Sequence, residues 1–379
     1  MKDVQRQVRD VVDQLVESGA ERGLQVAVYR HGDLVVDAVA GVADATTGRP
    51  VTADTPFHVT STGKGVASTV VHVLVEKGVL GYDTPIVDLW PEFGVHGKER
   101  ATVRHALTHS TGVPGLPQAT TPEDLTDWDA MCATIAGAAP WWEPGTRTGY
   151  HPQSYGYVIG EIVRRATGRP ISRVLADEVA GPLGVSAEMF FGVPESELDR
   201  LARLEEPEGG MELTPEMMAA MAEQVPFFRV LDGWTAAPPA AMPSADYCNR
   251  RDVLTADIPA GAVVTARAVA RMYAALMGEV DGVRLVSPER LSEVTAVAIS
   301  GVDEITGFPA NRGLGYDIGF PGPLDSPTLF GMAGSGGTAA YADTASGVAF
   351  AVAKNRVTAG DYSTFHHIGA IVAKTLSPG

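Results

Sequence analysis

A serine and a lysine stand three residues apart in the segment FHVTSTGKGVA, positions 57–67. An apolar stretch follows and predicts a helix that ends near Gly78, so Ser61 is expected at or just inside the helix N-terminus. Lys64 comes one turn later on the same helical face. This arrangement suits nucleophilic catalysis, because a serine hydroxyl attacks well only when a base takes its proton.

The surroundings of this pair also have a chemical use. A lysine acts as a base near neutral pH only when its pKa is lowered, which an apolar wall and nearby positive potential would do. A helix N-terminus supplies that potential, together with free backbone N–H groups that can bind a developing oxyanion. The pair Ser61 and Lys64 therefore predicts a nucleophile and its general base.

The S-x-x-K spacing alone is weak evidence, since ordinary Ser and Lys usage produces it by chance in roughly every other chain of this length. The simpler interpretation is a capped helix with a surface lysine. Two observations oppose it. This is the only S-x-x-K in the sequence, and Lys64 is followed by an apolar helix rather than a charged one.

Three further segments strengthen the catalytic hypothesis. They are TVRHALTHSTGVP at 102–114, PGTRTGYHPQSYGY at 144–157 and FGMAGSGG at 330–337. Together with the S-x-x-K segment they resemble the motifs of class C β-lactamases, penicillin-binding proteins and their esterase relatives, in the order of that superfamily and over nearly the whole chain. The resemblance is nearest to the family VIII carboxylesterases and related acyltransferases.

The resemblance implies that Ser61 forms an acyl-enzyme while Lys64 and Tyr150 share the proton transfers. A phenol takes part as a base only if its pKa falls from about 10 toward neutrality, which an adjacent Lys64 cation would favour. Which of the two is the base stays open here, because so close a pair titrates as a unit. The backbone N–H groups of Ser61 and Ser335 would form the oxyanion hole.

Two departures from the β-lactamase pattern bear on the substrate. Pro152 stands where the second motif has Asn, and Met332 stands where the third has Lys, or His in many esterases. In that family the Asn and the Lys bind the amide and the carboxylate of penicillin-like substrates, so we expect neither β-lactam hydrolysis nor carboxypeptidase activity. An uncharged ester suits Met332 better, and Met332 and Gly334 are predicted to contact the substrate.

Histidines near the motifs have two interpretations each. His109 lies in a structural turn of the family, where a buried hydrogen-bonding role is favoured over catalysis. His151 follows the candidate tyrosine and either positions Tyr150 or the substrate, or only packs. The sequence has no HExxH, no CxxC and no convergent carboxylate cluster, so we predict no metal and no cofactor.

The predicted activity is hydrolysis of a small ester through an acyl group on Ser61. Its nearest alternative is transfer of that acyl group to an amine or alcohol acceptor, followed by D-amino-acid amidase and β-lactamase activity. A binding or sensing protein with a decayed site is the alternative of a different class. The sequence names neither the acyl group nor the acceptor, and it leaves the oligomeric state open.

The elements that must position these residues follow from the hydrophobic pattern. Alternating segments at 24–30 and 34–40 flank a turn and predict a β-hairpin. A closing helix is predicted at 362–376. Before it, four short segments predict strands at 316–320, 328–332, 338–342 and 348–353.

This distribution of elements predicts an α/β (α+β) fold of the β-lactamase/transpeptidase-like kind, as a single domain over residues 1–379. Strands near both ends with helices between them imply one antiparallel sheet flanked by helices. Residues 1–84 and 271–379 would supply the sheet-containing part, and residues 85–270 an inserted, mostly helical part. A cleft at their junction is the expected place for a small-molecule site.

The stretch at 194–245 is unusually rich in methionine and aromatic residues. Such residues most often belong to the core, and the alternative is a pliable lid over an apolar substrate. They are Met211, Met217, Met218, Met221, Phe227, Phe228, Trp234 and Met242.

Charge and composition exclude several partners. A net charge of −17 without any basic run argues against nucleic acid. No stretch reaches the length of a membrane span, and the N-terminal residues have helical spacing rather than the unbroken apolar run of a secretory signal. We therefore expect a cytoplasmic protein without a membrane partner, which binds a small-molecule ester and, in the transfer alternative, an amine or alcohol acceptor. Whether Cys132 and Cys248 pair stays open.

Overall fold

The computed structural model describes residues 2–207, 214–319 and 326–376. Its strands are β1 Gly23–Arg30, β2 Asp33–Asp44, β3 Arg49–Pro50, β4 Phe57–His58, β5 Leu116–Pro117, β6 Met189–Phe190, β7 Val230–Leu231, β8 Trp234–Thr235, β9 Val263–Val264, β10 Ile299–Val302, β11 Pro309–Arg312, β12 Asp317–Ile318, β13 Leu329–Ala333, β14 Ala339–Asp343 and β15 Val348–Lys354.

Helices account for most of the remaining regular structure. They are α1 Lys2–Glu17, α2 Thr62–Glu76, α3 Ile86–Leu89, α4 Val103–Leu107, α5 Pro122–Thr126, α6 Trp128–Gly137, α7 Ser154–Thr167, α8 Ile171–Leu175, α9 Pro215–Ala222, α10 Ala245–Cys248, α11 Arg251–Thr255, α12 Ala266–Met277, α13 Pro288–Thr295 and α14 Ser363–Leu376.

Within the described residues, nine strands form one antiparallel sheet in the order β10-β11-β12-β13-β14-β15-β1-β2-β3. The pairing of β1 with β15 runs from Leu24/Lys354 to Arg30/Val348 and joins the two ends of the chain. The predicted antiparallel sheet, its N-terminal hairpin and its C-terminal strands are therefore confirmed. Phe320, predicted at the end of a strand, lies outside the described residues.

Strands β10 and β11 were missed by the sequence analysis. Their sequences, ISGV and PANR, lie at the edge of the sheet and are largely exposed, so they lack the alternation that marks a half-buried strand. Two small three-stranded sheets, β4-β9-β6 and β5-β8-β7, were missed as well because each strand has only two residues. The division of the domain near residues 84 and 270 stays a prediction.

Helices cover both faces of the large sheet. On one face α1 and α14 bury a layer of aliphatic and aromatic side chains against β1, β2 and the C-terminal strands. On the other face α12 lies against β1, β14 and β15, and α2 lies against β13. The sheet is thus apolar on both sides, which explains why β1 and β15 are buried along nearly their whole length.

Helix α2 is buried on all sides, from Thr62 to Val75. Two glycines allow this close packing. A Cβ atom at Gly63 would lie 2.3 Å from the carbonyl carbon of Gly261, and one at Gly65 would lie 2.2 Å from the Tyr273 hydroxyl. The contacts fix the start of α2 between the sheet and the neighbouring helices, so the residue that precedes α2, Ser61, has a well-defined place.

Two smaller questions from the sequence are answered by the fold. Cys132 and Cys248 are both buried and both carry free thiols, so no disulfide joins them. In the part of the chain that the structure describes, no helix has the length and apolar character needed to cross a bilayer.

Candidate active site

Ser61 occupies the N-cap position of α2, yet its hydroxyl makes no capping hydrogen bond to the helix. The preceding residue, Thr60, has a φ of 43°, in the left-handed region that β-branched residues rarely adopt. Strain of this kind costs roughly 1–3 kcal/mol and is common where a reactive side chain is held in place. The turn leaves the Ser61 hydroxyl available to other side chains.

Two side chains contact the Ser61 hydroxyl. Lys64 Nζ lies 2.9 Å from Ser61 Oγ, and the Tyr150 hydroxyl donates to the same oxygen at 2.6 Å. Lys64 Nζ also donates to the carbonyl of Ala260 at 2.9 Å. The structure therefore brings together the three residues that the sequence analysis selected as catalytic, although 89 positions separate Ser61 from Tyr150.

Lys64 is completely buried, and this burial lowers the pKa of its amine to about 7. An amine with this pKa is about half neutral at pH 7, so it can accept the Ser61 proton. Ser61 and Tyr150 are only partly buried, since they lie at the bottom of an open cleft.

Tyr150 departs from the expectation of a lowered pKa. Burial raises the pKa of its phenol well above the usual value, and the hydrogen bond to Ser61 and the Arg312 cation offset this only in part. The expectation relied on a permanent Lys64 cation, but burial leaves that amine partly neutral. Tyr150 is thus a neutral hydrogen-bond donor at pH 7, and of the two candidates Lys64 has the properties of the base.

Ser335 lines the same cleft as Ser61. The residue before it, Gly334, packs tightly against the chain that leads to Ser61. A Cβ atom at Gly334 would lie 2.4 Å from the carbonyl oxygen of Val59 and 2.5 Å from Thr60 Oγ1. Only glycine fits this approach, which brings the turn after β13 next to the start of α2.

The two predicted oxyanion donors are free in this arrangement. Among the described residues, the backbone N–H groups of Ser61 and Ser335 donate to no protein acceptor. By contrast, the N–H groups of Gly334 and Gly337 are both hydrogen-bonded within the turn, at 2.8 and 3.0 Å. Free N–H groups on two adjacent segments suit the binding of an oxyanion.

A cleft with a cavity volume of about 180 Å³ opens above these groups. Its walls are mainly apolar and aromatic, and in the described lining Lys64 is the only Lys or Arg, while Asp and Glu are absent. The apolar wall includes Phe190, Phe191, Phe227, Met242, Leu254 and Val263.

A family comparison agrees with this geometry. The model of the Beta-lactamase family matches residues 8–372. The chain belongs to the Beta-lactamase family. Membership makes it an enzyme of the serine-hydrolase type, and it confirms the resemblance drawn from the motifs.

The chain is also similar to individual proteins, among them esterases and a penicillin-binding protein homologue. "Esterase/beta-lactamase LipL" of Mycobacterium tuberculosis is 33% identical over 340 residues, which cover 88% of this chain and 77% of the relative. A family VIII carboxylesterase of known structure superposes with a TM-score of 0.84 at 31% identity, covering 97% of both chains. A penicillin-binding protein homologue from Caulobacter crescentus gives 0.83 at 33% identity, covering 98% of this chain and 97% of the other.

Two residues predicted to contact substrate do not line the cleft of this Beta-lactamase family member. Met332 is 2% exposed and lies beneath α2, where its Cβ is 3.4 Å from the position that a Cβ on Gly65 would take. Gly334 is buried by its approach to Val59 and is needed for that contact instead. Pro152 does line the cleft and offers no side-chain amide there.

The histidines His109 and His151 lie next to the catalytic tyrosine and away from the substrate. His151 is buried, bonds Thr111 Oγ1 at 2.9 Å through its ring, and does not line the cleft. Its backbone N–H donates to His109 Nδ1 at 3.0 Å, and the His109 ring is stacked on Tyr155 with centroids 4.5 Å apart. Burial lowers the pKa of His151 to about 4, so a neutral, positioning role fits both rings.

The methionine and aromatic stretch fits each interpretation only in part. Its described side chains are half-buried: Trp234 packs against the main hydrophobic core and Phe227 against a smaller cluster, while Phe227 and Met242 line the cleft. Met211 and the side chain of Met218 lie outside what the structure describes. The half-buried members are Met217, Met221, Phe227, Phe228, Trp234 and Met242.

The sequence analysis missed other parts of the site. Phe190 and Phe191 on and after β6 form part of the wall, and the adjacent aromatic pair is the only local signal that could have suggested them. It also missed the buried ion pair of Asp303 and Arg312 behind Tyr150. Asp303 and Arg312 reach the site through long-range packing, which no local pattern reveals.

Proposed function

We propose that the protein hydrolyses small, uncharged esters through an acyl-enzyme on Ser61. The observation that carries this proposal is the convergence of Lys64 Nζ and Tyr150 Oη on Ser61 Oγ, at 2.9 and 2.6 Å, at the base of an apolar cleft. The names of the esterase LipL and of the family VIII carboxylesterase support the ester as the substrate class.

Acylation begins with neutral Lys64, which takes the Ser61 proton as Oγ forms a bond to the ester carbonyl carbon. The carbonyl oxygen becomes an oxyanion and accepts hydrogen bonds from the backbone N–H groups of Ser61 and Ser335. The bond to the alcohol oxygen then breaks, Tyr150 donates its proton to the departing alkoxide, and the proton held by Lys64 restores the phenol. The products are the acyl-enzyme and a free alcohol.

Deacylation repeats these steps with water in the place of the alcohol. Tyr150 and Lys64 now remove a proton from the water that attacks the acyl carbon, and Ser61 leaves with a proton returned by the same pair. The oxyanion again lies against the two backbone N–H groups. A carboxylic acid is released and the free enzyme is regenerated.

The lining argues against charged substrates. Lys64 is the only lysine or arginine among the described lining residues, and its buried amine is already engaged by Ser61 and Ala260. A penicillin carboxylate therefore has no cation to bind. The α-ammonium group of a D-amino-acid amide has no carboxylate to bind either, because Asp and Glu are absent from the described lining.

Acyl transfer to an alcohol or amine is the second candidate. The half-buried residues Phe227 and Met242 line the cleft with apolar surface, together with Ala236 and Pro238. An apolar lining disfavours water around an acyl-enzyme, which favours a bound organic acceptor. Incubation with an activated ester, with and without added 1-butanol or butylamine, separates the two activities by the ratio of acid to transfer product.

The direct test is intact-protein mass spectrometry after exposure to p-nitrophenyl butyrate or a fluorophosphonate. We expect one adduct on the native chain and none on Ser61→Ala. Ser335→Ala is the matched control, since it also removes a cleft-lining hydroxyl but keeps the backbone N–H, and it should still be labelled. An unlabelled native enzyme, or hydrolysis of a chromogenic cephalosporin faster than of any simple ester, would overturn the proposal.

A further inference from the structure

We propose that the buried ion pair of Asp303 and Arg312 is a positioning device that holds Tyr150 against Ser61 during acylation. This inference rests on the proposed function, in which Tyr150 delivers a proton to the leaving group. Neither residue lines the cleft or contacts Ser61. Both act on Tyr150, one through its backbone and the other through its ring.

Asp303 holds the backbone of Tyr150. Its Oδ1 accepts the N–H of Tyr150 at 3.0 Å, and also those of Ile305 and Thr306 at 2.9 and 2.8 Å. One carboxylate oxygen therefore ties the loop that carries Tyr150 to the turn between β10 and β11. Burial alone would raise the pKa of Asp303, but the Arg312 cation and these N–H donors keep it below its usual value.

Arg312 lies behind the aromatic ring. Its guanidinium donates to Asp303 Oδ2 at 2.6 Å, to Asp317 Oδ1 at 2.8 Å and to Thr148 Oγ1 at 3.2 Å. The guanidinium carbon is 5.8 Å from the centroid of the Tyr150 ring. The bonds to two carboxylates and to a hydroxyl two residues before Tyr150 fix the cation in that position.

The loop needs such support. Tyr150 lies between α6 and α7 in a segment without helix or strand, and its side chain is only partly buried. Its hydroxyl must nevertheless stay within 2.6 Å of Ser61 Oγ. Small displacements of a reacting group reduce rates strongly, so a rigid anchor behind the ring has a direct effect on chemistry.

A purely stabilising role explains the pair less well. Placing a charged pair in the interior costs desolvation free energy that the mutual attraction does not always recover, and apolar replacements are often as stable. The charges behind the ring do not make the phenol more acidic either, because Asp317, which Arg312 bonds, raises the pKa of Tyr150 by more than the Arg312 cation lowers it. What the pair offers Tyr150 is therefore a fixed position.

The test compares Asp303→Asn and Arg312→Gln with a matched control, Glu161→Gln. Glu161 is also a buried carboxylate, with bonds to Arg164 and Arg165 at 2.7 Å, but it lies on α7 outside the cleft lining. For an alkyl ester such as ethyl butyrate, whose leaving group needs a proton, we expect kcat to fall about 10- to 100-fold in the two test variants. KM should change less than about threefold, because the apolar walls that bind the substrate are intact.

The rate of fluorophosphonate labelling of Ser61 distinguishes the possible failures. A native enzyme that is not labelled overturns the proposed function and this inference with it. Folded Asp303→Asn and Arg312→Gln variants that label and turn over at the native rate overturn the positioning role alone. The positioning role is also overturned if Glu161→Gln loses as much kcat as the two test variants, since the loss would then reflect general destabilisation.

If Arg312→Gln does not fold, the conservative variant Arg312→Lys can test the same role. Arg312→Lys retains a cation but cannot bond Asp303 and Asp317 together as a planar fork. We expect its kcat to lie between those of the native enzyme and Asp303→Asn, with a native KM. Native kcat in Arg312→Lys together with native kcat in Asp303→Asn would refute the role of the fork.

Discussion

Lys64 Nζ lies 2.9 Å from Ser61 Oγ, and its other hydrogen bond goes to the carbonyl of Ala260, so that no carboxylate of the described residues is its partner. The amine is completely buried, so the environment favours its neutral form, with a pKa of about 7. Desolvation, and not an ion pair, thus sets the pKa that allows Lys64 to act as a base. This relationship makes the activity sensitive to pH in the neutral range.

The pH dependence of kcat/KM follows from this pKa. Below about pH 7 Lys64 is protonated and cannot accept the Ser61 proton, so kcat/KM should fall about tenfold per pH unit on the acid side. We expect a half-maximal value near pH 7 with p-nitrophenyl butyrate. A rate that stays constant from pH 5 to pH 8 would contradict Lys64 as the base.

Replacement of the base Lys64 should abolish activity and increase the stability of the folded protein. Lys64→Met removes a buried amine and should abolish labelling of Ser61 while raising the free energy of unfolding at pH 7. Between the folded pKa of about 7 and the ordinary lysine pKa of 10.5, the unfolded form of the unmodified protein binds one proton more than the folded form, so its stability rises with pH. The advantage of Lys64→Met should therefore shrink by up to about 1.4 kcal/mol per pH unit in this range, as measured by urea unfolding.

Removal of the phenolic hydroxyl tests the proton donor. Tyr150→Phe keeps the ring between His109 and Arg312, so the melting temperature should stay near that of the native enzyme. The loss of the hydroxyl that donates to Ser61 should reduce kcat by about 10²- to 10⁴-fold. Esters with good leaving groups, such as p-nitrophenol, should suffer less than alkyl esters. An equal loss for both would argue against protonation of the leaving group.

Two alanine substitutions in the turn after β13 test the close approach of Gly334 to the start of α2. Gly334→Ala places a methyl group 2.4 Å from the Val59 carbonyl oxygen and should cost about 1–3 kcal/mol of stability and displace Ser335 from the oxyanion hole. Gly336→Ala in the same turn meets its nearest atom at 3.8 Å and should behave like the native enzyme. Thermal unfolding and kcat measure the two effects. Equal behaviour of the variants would contradict the steric argument.

The apolar wall predicts a selective loss of substrate affinity. Phe227→Ala removes a half-buried ring from the cleft, so KM for hexanoyl esters should rise several-fold more than KM for acetyl esters. Phe308→Ala is the control, because that phenylalanine is 71% exposed and lies outside the lining. An equal change in KM for hexanoyl and acetyl esters would indicate that Phe227 does not contact the acyl group.

Much of the fold was predictable because its signals are local. The alternation in β1 and β2 and the helical spacing in α1 depend on neighbouring residues only. Strands β10 and β11 escaped prediction because an exposed edge strand needs no apolar alternation. The orientation of Met332 was mispredicted for a related reason: a motif gives the position of a residue, but the packing of β13 under α2 decides where its side chain lies.

The sequence by itself determined the family, the sheet built from both ends of the chain and the choice of Ser61, Lys64 and Tyr150, since motif order and periodicity are properties of the chain. Only the tertiary structure decided the chemistry of these groups. A pKa depends on which atoms exclude water and which charges lie nearby. Burial thus gave Lys64 the character of the base and kept Tyr150 protonated. The apolar walls and the Asp303–Arg312 pair likewise depend on contacts between distant segments.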